Sequence, residues 1–294
     1  MVSCDGRLSS RARKVLPTGM KSMLLEKDEY VEQRFFFKTF LERLDDGYSS
    51  QEILRAMKSE VLSTVKLPMA IDYLLAEIKL RGTMSGAMAV MKHYFSPFQT
   101  FVVKESETEK GRFDFKTALR ILERLAGYMA GEPTPQGVFF YQFETVSRNR
   151  LGYDESLGAI AADPMYDDEW ARWINVILRR QLGAIDLAAL IYVRSAYYRQ
   201  RTGDNPDEEV LFGEREGRIG WASRGRDPAF LFSALNRHLG YPKVPRPLHV
   251  HEEENQVPIL KRRIALLESR VMLLEEQLKG GINLERFYVK EEDK

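Results

Sequence analysis

Between residues 28 and 240 the chain repeatedly sets helix-start residues before apolar stretches and glycine behind them, which restricts it to helices packed on helices. Ser49 with Glu52 forms a capping-box pattern ahead of Ile53, Leu54 and Met57. Thr134–Pro135, Asp163–Pro164 and Asp227–Pro228 each place a side-chain cap before a proline suited to a first helical turn. Gly47, Gly82, Gly183, Gly203 and Gly240 mark stops. Strand alternation is scarce. The fold class expected is all-α, a multi-helix domain over 28–240 built from helical hairpins.

Within that frame, Tyr30, Phe36, Phe37 and Phe40 share a helical stripe, and Leu119, Ile121, Leu122 and Leu125 share another. Pro97 interrupts the segment that carries Met84, Met88 and Met91, three residues expected to fill core gaps. One long helix is expected from Asp163 to Gly183. Another is expected from Asp186, through Leu190, Ile191 and Tyr197, to Gly203. The stretch 201–225 is left as an irregular connection, longer than the roughly 2 to 8 residues usual in bundles. With 44% hydrophobic and 11% aromatic residues in 294, the material for a large core is present.

The flanks differ from this body. Residues 1–27 begin with Arg7, Arg11, Arg13 and Lys14 among serines, have no packable face in that stretch, and are expected to be a disordered basic leader. Residues 241–256 carry Pro242, Pro245 and Pro247 followed by Glu252, Glu253 and Glu254, the composition of a semi-rigid linker. Residues 257–279 then follow a heptad pattern, and 280–294 form a tail.

In that heptad stretch, Val257, Ile264, Val271 and Leu278 occupy the a positions and Leu260, Leu267 and Leu274 the d positions. β-Branched residues at a with leucine at d favour a parallel dimer. Charge agrees: in a parallel pair, Arg263 meets Glu268 and Arg270 meets Glu275 across the seam, whereas an antiparallel pair sets arginine against arginine. Ile259, Leu266 and Leu273 at c form a second apolar row, which keeps a trimer open. A helix folded back onto its own domain is the competing arrangement for any apolar stripe.

The stretches DEYVEQRFFF, YQFETVSRNRLGYD and GRDPAFLFSALNRHLGYPKVPRP resemble an uncharacterised family of bacterial proteins over roughly residues 28–247. No activity is attached to that family, so the resemblance implies a single domain and transfers no functional residue.

The chain offers little to support catalysis. Its four histidines, His93, His238, His249 and His251, form no Glu-x-x-His or His-x-x-x-His pair, so neither a di-iron bundle site nor a zincin motif can be assembled from the usual spacings. G-x-S-x-G, Walker and G-x-G-x-x-G motifs are missing as well. Cys4 is the sole cysteine, which rules out an intrachain disulfide and fits a cytoplasmic setting. No cofactor, metal or membrane partner is expected. The acids Asp163, Asp167, Asp168 and Glu169 are read as a helix start.

One polar segment remains. In LFGEREGRIGWASRGRD, Arg215, Arg218, Arg224 and Arg226 alternate with glycines around Trp221. Glycine lets backbone amides approach a phosphate, arginine grips it bidentately, and tryptophan can stack on a base. Arg148 and Arg150 would join if the two loops met. Ion pairing of the same arginines with Glu214 and Glu216 is the structural alternative, and it suits a chain whose net charge is only +1.

Two functions follow as expectations. The first is a non-enzymatic oligomeric adaptor or scaffold, self-associating through residues 257–279 and serving an unknown protein partner. The alternative is a nucleic-acid or phosphorylated-ligand binder acting through residues 213–227.

Overall fold

The computed structural model describes residues 25–61, 65–108, 113–203 and 208–247, together with seven helical positions between Ile264 and Glu275. The chain divides into two units, Met1–Pro247 and Leu248–Lys294. Residues 1–24 and most of 248–294 lie outside the description. So do His249, His251 and the seam positions Val257, Leu260, Leu274 and Leu278.

The first six helices are α1 (Lys27–Asp45), α2 (Ser50–Glu60), α3 (Lys66–Arg81), α4 (Ser85–Val90), α5 (Pro97–Ser106) and α6 (Phe115–Met129). Helix α1 lies along α6, and α2 pairs with α3. Their local signals behave as expected. Ser49 and Glu52 close a reciprocal capping box, and Gly82 ends α3 in the left-handed conformation at φ 78°. Met84, Met88 and Met91 are buried, so the methionine row is core. Pro97 is a beginning as well as an interruption, because Ser96 and Gln99 form a second capping box around it that starts α5.

The second half comprises α7 (Pro135–Asn149), α8 (Tyr153–Ala161), α9 (Asp168–Arg172), a π-helical turn (Trp173–Leu178), α10 (Arg179–Gln181), α11 (Leu187–Val193), α12 (Ala196–Thr202), α13 (Glu214–Ser223) and α14 (Pro228–Leu239). Among the described residues there is no strand, only two isolated bridges. None of their helices is long and apolar enough to cross a membrane.

Three expectations change here, and one helix appears that no sequence signal marked. The Asp163–Pro164 pair is not a helix start; Asp163 sits in a buried turn, and Asp167 caps α9 through the amide of Trp170. The stretch between Asn149 and that turn holds α8, which opens on Gly152 without a side-chain cap and therefore left no signature. The helix expected from Asp186 to Gly203 breaks at Arg194. There Ser195 becomes a new cap for α12, accepting from the Tyr198 amide at 3.2 Å, and bridges to Phe212. The irregular stretch 201–225 contains a full helix, α13.

Aromatic packing centres the second half. Phe212 lies against Trp170 and Trp173 at ring separations of 5.2 and 5.3 Å, and Phe139 meets Trp173 at 5.2 Å. Such edge-on contacts add roughly 0.5 to 1.5 kcal/mol each beyond burial. Tyr241 is 2% exposed, and the carbonyls of Lys243 and Pro245 accept from Arg124 and Asn149. Residues 241–247, expected to open a linker, therefore form a strap over α6 and α7.

Candidate functional site

The arginine-rich segment is a helix and its glycines are packing residues. A Cβ at Gly217 would lie 2.2 Å from Ser195 Oγ, and one at Gly220 would lie 2.9 Å from the Ala188 carbonyl. Both positions are the places where α13 approaches α11 and α12 too closely for any side chain. Their amides belong to the helix, so no glycine cradle for phosphate exists at 217–220. Trp221 is covered: the guanidinium carbons of Arg224 and Arg201 lie 3.2 and 3.9 Å from its ring centre, and Tyr192 meets it at 4.7 Å. A base would have to displace those cations to stack.

Arg218 pairs with Glu214 one turn earlier on α13 and lies 5.6 Å from the Tyr197 ring. Glu216, in contrast, meets His238 Nε2 at 3.0 Å and ties α13 to α14. Arg215 and Arg226 are exposed. Arg150 ends α7 in the left-handed conformation at φ 55°, an exposed cap. The candidate arginines are thus dispersed. Within residues 213–227, Arg218 and Arg224 are occupied by cation–π contacts and an ion pair.

Arg148 stands apart, in a cleft of about 460 Å³ between α7 and α14 with Glu144, Phe232, Ser233, Asn236, Arg237, Lys243 and Val244. Glu144 is 4% exposed and both of its oxygens are engaged. Arg148 Nε donates to one, and the Tyr241 hydroxyl donates to the other at 2.8 Å. Burial, with the Glu144 charge beside it, pushes the Tyr241 phenol far above its ordinary value, so it stays a donor. Asn236 holds the Tyr241 carbonyl, and Arg124 holds that of Lys243, so the strap has a fixed backbone. Beside this cleft lies a larger chamber of about 650 Å³, lined by Phe143, Tyr153, Leu157, Leu182, Leu187 and Phe232 among others. Phe232 walls both. Sequence reasoning missed Arg237 and Lys243 because nothing local marks an arginine in a last helical turn, or a lysine between prolines, as convergent.

The heptad stretch presents a different surface. Ile264, Leu267 and Val271, successive a, d and a positions, are helical and 53%, 57% and 53% exposed. With Glu268, Met272 and Glu275 they line a shallow groove of about 350 Å³.

Set against family models, curated proteins and solved structures, the chain matches none of them.

Proposed function

We propose that the protein is an oligomeric adaptor in which residues 257–279 join copies of the chain as a parallel coiled coil and thereby display the helical body in more than one copy. The observation that carries this is the exposure of Ile264, Leu267 and Val271 on one helix. Large aliphatic side chains aligned at a and d spacing lose roughly 1.5 to 3 kcal/mol each by staying in water. A second copy covers them with matching side chains. The flanking charges, Glu268 and Glu275 at e with Arg263 and Arg270 at g, complement a second copy running in the same direction.

Magnitude sets the expected strength. Three heptads must offset an association cost of roughly 4 to 15 kcal/mol, so the oligomer should be concentration-dependent. Light scattering on the full chain, compared with a chain ending at Pro247, tests it. The full chain should show a mass of two or three copies that falls to one copy on truncation. A single-copy mass for both chains at high protein concentration would sink the proposal.

A further inference from the structure

We propose that the cleft between α7 and α14 binds the phosphate group of a small phosphate ester. Its residues belong neither to the heptad stretch 257–279 nor to the arginine segment 213–227.

The charge count inside the cleft points to an anion. Four ionisable side chains line it: the carboxylate of Glu144 and the cations of Arg148, Arg237 and Lys243. Glu144 is 4% exposed and already accepts from Arg148 and from the Tyr241 hydroxyl, so its charge is neutralised within the protein and little of it faces a cation arriving from solvent. What it does is fix the Arg148 guanidinium by its Nε, leaving the terminal nitrogens for other acceptors. The side chains of Arg237 and Lys243 have no hydrogen-bond or ionic partner among the described residues. The cleft therefore carries two unneutralised positive charges around one internally paired carboxylate. That matches a phosphate dianion.

The backbone around these groups is already fixed, which lowers the ordering cost of binding. Arg237 rides on α14, and Lys243 sits on the strap pinned by Arg124 and Asn236. The carbonyl end of α14 opposes an anion, but the Asn236 carbonyl is already capped by the Gly240 amide. Ser233 adds a hydroxyl donor on the exposed side. A volume of about 460 Å³ admits a small ligand. A concave site of that size on a chain of net charge +1 does not suit a long nucleic acid, which needs an extended basic track. The adjoining chamber shares Phe232 and offers the walls of Phe143, Tyr153 and Leu157 to the organic part of an ester, with Asp186 and the Asp154–Arg179 ion pair on its polar side.

Titration calorimetry of the full chain with phenyl phosphate and with inorganic phosphate tests the proposal. Phenyl phosphate should bind, and more tightly than inorganic phosphate. Arg237→Ala and Lys243→Ala are exposed changes that should leave the melting temperature unchanged while each weakens binding about tenfold, the loss of one charge-assisted hydrogen bond. No heat with either probe overturns the site. So does binding that both substitutions leave intact. Single-stranded RNA binding lost in the same two variants, with no phenyl phosphate binding, would assign the cations to a polymer instead and also overturn it. The monomeric or oligomeric mass of the chain does not affect any of these outcomes, so this proposal and the coiled coil stand or fall separately.

Discussion

Gly217 shows how one missing Cβ can be mistaken for chemistry. In sequence it sits among arginines and looks like a place where backbone amides approach an anion; in the fold it is buried against Ser195 and Tyr197. The two possibilities predict opposite signs for Gly217→Ala. In a solvated helix, alanine would stabilise by roughly 1 kcal/mol through propensity. Here the added methyl lies 2.2 Å from Ser195 Oγ and 2.7 Å from Tyr197 Cβ. Overpacking of that kind costs about 1 to 3 kcal/mol, so a net loss of stability is expected in urea unfolding. A gain would mean that α13 does not seat on α12. Arg194 is similar in being illegible: it is 6% exposed and pairs with Glu169 and Glu208, holding the segment before Phe212 in place. Nothing adjacent in sequence announces either partner.

At the level of elements, capping chemistry was the legible part. Ser49, Thr134, Asp186 and Asp227 each accept the amide that their position foretells. Starts without a side-chain cap, such as that of α8 at Gly152, were not legible, because a glycine N-cap and a loop glycine look the same in sequence. The break between α11 and α12 is a tertiary decision. Apolar spacing continues through it, but Phe212 claims the backbone of residues 194–196, accepting from Ala196 and donating to Arg194. For the heptad helix, the e and g charges give an element-level test. Arg270→Glu alone should weaken self-association by setting two acids across the seam in a parallel pair. Adding Glu275→Arg should restore it, since each such contact is worth some tenths of a kcal/mol. Sedimentation equilibrium reads both. If the double variant stays as weak as the single one, the parallel register is wrong.

Across the whole molecule, a buried polar chain links the two halves of the body. Gln33 on α1 accepts from Gln99 on α5 at 2.7 Å, and Gln99 accepts from the Ser96 amide at 3.0 Å. The Ser96 hydroxyl reaches Asp163, Gln142 donates to Asp163 at 3.0 Å, and the Tyr166 hydroxyl donates to Gln142 at 2.7 Å. Burial raises the Asp163 carboxyl above its ordinary value of 3.8, and the bonds from Met165, Gln142 and Ser96 only partly offset it. The sign follows from linkage. The folded state binds the Asp163 proton more tightly than the unfolded state, so this contribution is full below the ordinary carboxylate range and is lost as pH rises through the folded value. Asp163→Asn keeps a side chain of the same shape without that titration. Its melting temperature relative to the parent should therefore rise as pH goes from acid to neutral. A flat difference would show that burial does not shift the Asp163 carboxyl, and one that falls with pH would show that the fold favours its anion.

Sequence by itself determined the helical class, the capped helix starts at Ser49, Thr134, Asp186 and Asp227, the glycine stops and the burial of the methionine row. Each of these depends on residues within a few positions of one another, where spacing maps directly onto helix geometry. Tertiary structure decided that Gly217 and Gly220 are seats for neighbouring helices and that Trp221 is covered by arginines. It also made Asp163 part of a core network, and it brought Arg237 and Lys243 to Arg148. Arg224 apart, which lies one turn from Trp221, those outcomes bring together residues roughly twenty to ninety-five positions apart, and local spacing carries no record of such meetings.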